Sequence, residues 1–100
     1  MTTPLVTRVL LADDHPVVRN GLRELFAGEP DFRVVAEVDD GAQAVERAVA
    51  GDVDLAILDI TMPRMTGLQA ARELASRKPE LRILMPVSYT HLTLPTTPYV

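Results

Sequence analysis

The chain has 100 residues, a formal net charge of −4 and no cysteine, which fits one small domain and excludes a disulfide framework or a thiolate-held metal. At 47% apolar and 24% charged residues it has an ordinary globular composition, and its scattered basic residues exclude a general electrostatic pull toward nucleic acid. No apolar run approaches the roughly 18 residues of a membrane span, and the start "MTTPLVTR" lacks the features of a secretion signal, so a cytoplasmic protein without membrane contact is expected.

Residues 8–12, "RVLLA", form a short apolar run that stops on Asp13-Asp14 and predicts a buried strand. The next stretch, "HPVVRNGLRELFAGEP", places Val18, Leu22, Leu25 and Phe26 on one helical face. Pro16 suits its first turn and Gly28 a left-handed stop. "FRVVAEV" (32–38) is rich in β-branched residues and predicts a second strand. In "DDGAQAVERAVAGD", Ala44, Val45, Ala48 and Val49 share a helical face, with Asp39 or Asp40 as cap and Gly51 as stop. "DLAILD" (54–59) is again strand-like and ends on one aspartate. A turn follows, then a helix from about Thr66 with Leu68, Ala71, Leu74 and Ala75 inward, and "LRILM" (81–85) begins a fourth strand.

This β-α-β-α-β-α-β alternation with apolar strands argues for a doubly wound parallel sheet with helices on both faces. In such sheets the functional crevice lies beyond the carboxyl ends of the strands, where the winding reverses. With strand order 2-1-3-4, the reversal falls between the strands that end on Asp13-Asp14 and on Asp59.

Two carboxylates about 5 Å apart repel by roughly 3 kcal/mol at an effective dielectric near 20, and without compensation one pKa must rise. A divalent cation resolves the conflict, and oxygen-only ligands favour Mg²⁺ with open positions for phosphate oxygens. A free carboxylate beside such an ion can act as a nucleophile in phosphoryl transfer. The plain alternative for each acid alone is a turn or a helix cap. Spacing by itself leaves a metal site, a phosphate site and these local roles open.

Together "LLADDHPVVRNGL", "VVAEVDDGAQAVE" and "DLAILDITMPRMTGL" resemble the receiver domain of bacterial two-component response regulators over residues 6–85. The form "DDHPVVRNGL" is similar to the LuxR/FixJ-type subfamily, whose members carry a C-terminal helix-turn-helix DNA-binding domain. The resemblance implies a flavodoxin-like fold and Asp59 as phosphoacceptor, receiving a phosphoryl group from the phosphohistidine of a sensor histidine kinase. It implies Mg²⁺ held by Asp14 directly, by Asp13 through a coordinated water, by Asp59, and by the backbone carbonyl of Thr61. Met62, Pro63 and Gly67 match the loop that supports the site. His15 reads as helix-start chemistry rather than a ligand, and Arg64 as a solvated loop charge rather than a steering group for a phosphorylated partner. Lys78 reads as a helix-end charge.

The pattern breaks after Met85. The family ends its fourth strand on a switch hydroxyl and its fifth on a lysine. Here Pro86-Val87 intervene, and Ser88 comes one residue late, on the opposite strand face. No lysine matches the second position. The last charged residue is Arg82, and "PVSYTHLTLPTTPYV" holds three Pro and four Thr. Residues 86–100 are therefore expected to be foreign or disordered, with the fifth strand and last helices lacking and the fourth strand left as an exposed edge. The chain is expected to bind Mg²⁺ weakly without switching.

The leading reading is a signalling module that phosphorylates and dephosphorylates itself rather than an enzyme with turnover. DNA would be reached only through a domain absent from these residues. A haloacid-dehalogenase-type hydrolase is disfavoured because Thr61 stands where its acid should be. A non-switching α/β interaction module, used for homodimerisation, is the other alternative. Nucleotide folds are disfavoured by the absence of glycine-rich phosphate loops.

Overall fold

The computed structural model describes residues 6–60, 62 and 64–86. Within them the elements are β1 (Thr7–Ala12), α1 (Pro16–Ala27), β2 (Phe32–Val38), α2 (Gly41–Val49), β3 (Leu55–Leu58), α3 (Gly67–Arg77) and β4 (Arg82–Leu84). The four strands pair in parallel in the order β2-β1-β3-β4. This is the doubly wound, flavodoxin-like arrangement, with its winding reversal between β1 and β3. The β1–β2 ladder slips by one residue after the Val9–Val34 pair, so that Leu10 meets Ala36.

The two-residue period of the strands sorts the core into two layers. Leu10, Ala12, Ala56 and Leu58 pack with Ala44, Val45 and Ala48 of α2 and with Ala70 and Leu74 of α3. Val9, Leu11 and Ile57 point to the other face, where Leu22 and Phe26 of α1 lie over them. Phe26 meets Phe32 in a tilted ring pair with centroids 5.3 Å apart. Leu10, Leu11, Leu58 and Leu74 have no exposed surface, and each such side chain contributes roughly 1.5–3 kcal/mol relative to exposure. The α1 layer is thinner, for no residue of α1 is fully buried.

The helix faces depart in places from the sequence pattern. Leu25 and Leu68 are 62% and 48% exposed, and Ala75 is exposed as well. The buried stripe of α3 is Gly67, Ala70 and Leu74, since small residues let this short helix approach the sheet closely. Asp40, not Asp39, caps α2. Gly28 ends α1 at φ −85°, whereas the left-handed stop is at Gly51, with φ +110°. The β4 strand is shorter than the 81–85 run, and its Leu84 is 51% exposed. Among the described residues there are four strands and three helices, and no strand pairs with the outer edge of β4. Pro86 is exposed. Thr61, Pro63, Ser88 and the rest of the stretch expected to be foreign lie outside the described residues.

Candidate functional site

The sheet register brings the acids together. Ala12 pairs with Leu58 across β1 and β3. One step further, the Asp59 N–H donates to the Ala12 carbonyl at 2.9 Å, and the Asp13 N–H donates to the Val38 carbonyl at 3.1 Å. Asp13 and Asp59 thus leave neighbouring strands at the same level, and such strands lie about 4.8 Å apart. Carboxylate oxygens of Asp13, Asp14 and Asp59 and a ring nitrogen of His15 all lie within 4.8 Å of one another. Asp13 is 8% exposed, Asp59 is half-buried and Asp14 faces solvent.

Three acids this close require positive charge, and among the described residues His15 is placed to supply some of it. His15 Nδ1 lies 2.9 Å from Asp13 Oδ1, 3.1 Å from Asp14 Oδ1 and 3.6 Å from Asp59 Oδ2. Its backbone N–H also donates to Asp13 Oδ1 at 2.8 Å. The hydrogen bond to Asp13, then the charge of Asp14, raise the imidazole pKa above its ordinary value. Although His15 occupies the cap position of α1, its side chain makes no capping bond. The helix-start reading is therefore corrected: the ring folds back onto the acids. The signal was legible in "DDHP", where Pro16 starts the helix and leaves His15 at its mouth.

Arg19 gave no such signal. One turn into α1, its Nη1 donates to the backbone carbonyl of Asp13 at 2.8 Å, and its Nε lies 3.4 Å from Glu37 Oε1. It ties the Asp13 corner to α1 and β2.

On the other side of Asp59, the loop into α3 is closely packed. Met62 is buried in the α2–α3 core layer. The Gly67 N–H donates to the Ile60 carbonyl at 2.9 Å, and a Cβ at Gly67 would lie 1.9 Å from the Asp59 carbonyl oxygen. Only glycine fits that contact. Thr66 caps α3 with a reciprocal Thr66–Gln69 capping box.

Arg64 is not simply a solvated charge. Its Nε donates to Asp40 Oδ2 at 3.1 Å, and its Nη2 makes a second, closer bond to the same oxygen. Asp40 is fully buried and caps α2 by accepting the Gln43 N–H at 2.8 Å. The Gln43 bond first and Arg64 second hold its carboxyl below the usual carboxylate range. Lys78, the one lysine of the chain, lies at the end of α3 with its Nζ 3.7 Å from Glu80, away from the acids.

The donor set is hard: carboxylate oxygens of Asp13, Asp14 and Asp59, one of them well exposed. It fits a small divalent cation that keeps water or substrate oxygens in its remaining positions.

Comparison with known proteins gives a consistent picture. The family model for the response regulator receiver domain matches residues 9–95. The transcriptional activator DevR/DosR of Mycobacterium tuberculosis is 42% identical over 85 residues, covering 85% of this chain and 39% of that protein. The nitrate/nitrite response regulator protein NarL of Escherichia coli K12 is 40% identical over 77 residues, covering 77% of this chain and 36% of that one. The chain thus spans well under half the length of these relatives. Among solved structures, the signal receiver domain of the putative response regulator NarL from Mycobacterium tuberculosis superposes with a TM-score of 0.78 at 39% identity, over 82% of this chain and 66% of that one.

Proposed function

Because this chain belongs to the response regulator receiver domain family, we propose that Asp59 accepts a phosphoryl group from the phosphohistidine of a sensor histidine kinase in a Mg²⁺-dependent step. The observation that carries this reading is the convergence of Asp13, Asp14 and Asp59 within 4.8 Å at the β1–β3 winding reversal.

In the proposed step an Asp59 carboxylate oxygen attacks phosphorus. The phosphorus–nitrogen bond of the donor breaks, its electron pair returns to the donor imidazole, and Asp59 becomes an acyl phosphate. Asp13, Asp14 and Asp59, with the Thr61 carbonyl, would hold the cation, which when bound offsets negative charge on the phosphoryl oxygens. The chain's own residues orient the nucleophile. The ladder bond from the Asp59 N–H fixes the strand end, Gly67 packs on its carbonyl, and Met62 anchors the loop. Loss of the phosphoryl group to water would complete the cycle, which makes the domain a self-dephosphorylating phosphoacceptor rather than a catalyst of turnover.

Residues 6–85 are proposed as the receiver unit, with 86–100 appended to it, although the family match itself runs on to residue 95. Regulation of transcription is proposed from the relatives, through a DNA-binding domain outside these residues. A cytoplasmic location is proposed with it; no helix among the described residues is long and apolar enough to cross a membrane. A second reading, a non-switching module that pairs with another copy of the chain, is favoured by one observation. Lys78 is remote from the acids, and so supplies no cation to a phosphoryl group on Asp59.

Incubation with acetyl phosphate and Mg²⁺, read by intact mass, tests the proposal. One phosphoryl adduct is expected on the native chain and none on Asp59→Asn. No adduct on the native chain, or an equal adduct on the variant, overturns it, and dimerisation without an adduct supports the second reading.

A further inference from the structure

Asp40 is a fully buried carboxylate that the proposed phosphoryl chemistry does not use. Its two oxygens have separate duties: Oδ1 accepts the Gln43 N–H and caps α2, while Oδ2 accepts from the Arg64 guanidinium. We propose that the Asp40–Arg64 pair is a positioning device for the loop between Asp59 and α3, and through that loop for the cation-holding half of the site. This rests on the phosphoacceptor reading above.

The loop is fastened at three points. Gly67 fixes it to Asp59 and Ile60, its N–H bonded to the Ile60 carbonyl at 2.9 Å. The Met65 backbone lies so close to α2 that a Cβ on Gly41 would come within 2.0 Å of the Met65 carbonyl oxygen. Arg64 reaches across to Asp40 from a left-handed backbone, φ +67°, a conformation that a non-glycine residue holds only when its surroundings impose it. The first fastening is a hydrogen bond with close backbone packing, the second is steric, and the third is ionic.

Capping α2 does not by itself explain an aspartate at this position. Asparagine caps a helix as well as aspartate does and brings no charge into the interior. The buried charge gains a purpose only with Arg64, whose side chain is 68% exposed and packs into no core of its own. The pair therefore ties the first turn of α2 to the loop that leads from Asp59, the proposed phosphoacceptor, into α3. Supporting groups of this kind typically change metal affinity by about tenfold or more when removed.

The full chain and four variants test this: Asp40→Asn, Arg64→Ala, Arg64→Lys and the double variant Asp40→Asn/Arg64→Ala. Mg²⁺ affinity is measured by calorimetry, adduct formation from acetyl phosphate is followed against Mg²⁺ concentration, and the metal-free thermal midpoint is recorded for each. Asp40→Asn is expected to keep its midpoint while binding Mg²⁺ about tenfold more weakly, with the adduct rate restored at saturating Mg²⁺. Arg64→Lys should recover part of the affinity. The double variant should be no weaker than Asp40→Asn, because the two residues act as one unit. Affinity within about twofold of native in Asp40→Asn, or losses that add in the double variant, would overturn the positioning role. A loss of affinity that follows the midpoint across the set would reduce the pair to a structural one and overturn it too. A native chain that takes no Mg²⁺ removes the phosphoacceptor reading and this inference together, whereas native binding matched by all variants removes only this one.

Discussion

His15 Nδ1 stands 2.9 Å from Asp13 Oδ1 and 3.6 Å from Asp59 Oδ2, bridging acids that belong to different strands. Any cation that enters among these oxygens must displace the ring or share them with it. The ring resonances of His15 are therefore expected to move on titration with Mg²⁺, and their loss in His15→Asn assigns them. Long-range nitrogen–proton spectra measure this directly. Saturable Mg²⁺ binding that leaves the His15 ring untouched would place the cation elsewhere.

Cation binding to the folded state alone raises stability by mass action. At a tenfold excess over its Kd, Mg²⁺ should add about 1.4 kcal/mol, a rise in Tm of roughly 5–10 °C for a domain of this size. The rise should vanish in Asp14→Asn and Asp59→Asn. Differential scanning fluorimetry with Mg²⁺, and with an equal ionic strength of Na⁺ as control, separates specific binding from screening. An unchanged rise in both variants would contradict the site.

Two glycines should respond to alanine in opposite directions. At Gly67 the added methyl would meet the Asp59 carbonyl oxygen at 1.9 Å, so Gly67→Ala must push the phosphoacceptor strand or α3 aside. A loss of about 2 kcal/mol or more is expected, with weaker Mg²⁺ binding. Gly21, inside α1, has nothing within 4 Å of an added Cβ. There Gly21→Ala should stabilise by roughly 0.5–1 kcal/mol through helix propensity. Urea midpoints decide both, and a harmless Gly67→Ala would show that the contact is not binding.

Far from the acids, Asp54 closes the opposite end of the sheet. It accepts the Arg8 backbone N–H at 2.9 Å and the guanidinium Nε at 3.0 Å, and these bonds lower its pKa to about 2. A carboxylate with a depressed folded pKa contributes stability that is complete above its unfolded value and lost as pH falls through the folded one. The Asp54 contribution should therefore be present above about pH 4 and fade toward pH 2. Because the side chain is 35% exposed, solvent screening limits the effect to roughly 1 kcal/mol or less. Urea midpoints between pH 2 and pH 6 should converge for the native chain and Asp54→Asn at the acid end. A constant gap across that range would assign the acid sensitivity to other groups.

The sequence alone determined the order of elements, the parallel sheet and the edge on which Asp13, Asp14 and Asp59 lie. These follow from patterns a few residues long: apolar runs that stop on acids, helical spacing, and the short links that force crossovers. The same local logic left Asp39 or Asp40 as the α2 cap and started α3 at about Thr66, where the structure places the caps at Asp40 and Thr66; Gly67 came from the family resemblance. Tertiary structure decided what depends on residues far apart in the chain. It turned Arg64 onto Asp40, 24 positions away, brought Arg19 of α1 to the backbone of Asp13, and set Ala70 rather than Leu68 against the sheet. It also brought Asp59 from β3 to within 3.6 Å of the His15 ring, which local bonds already hold against Asp13. A side chain's partner across the fold is set by how helices seat on the sheet, and that seating reflects the summed packing of the whole core rather than any one motif.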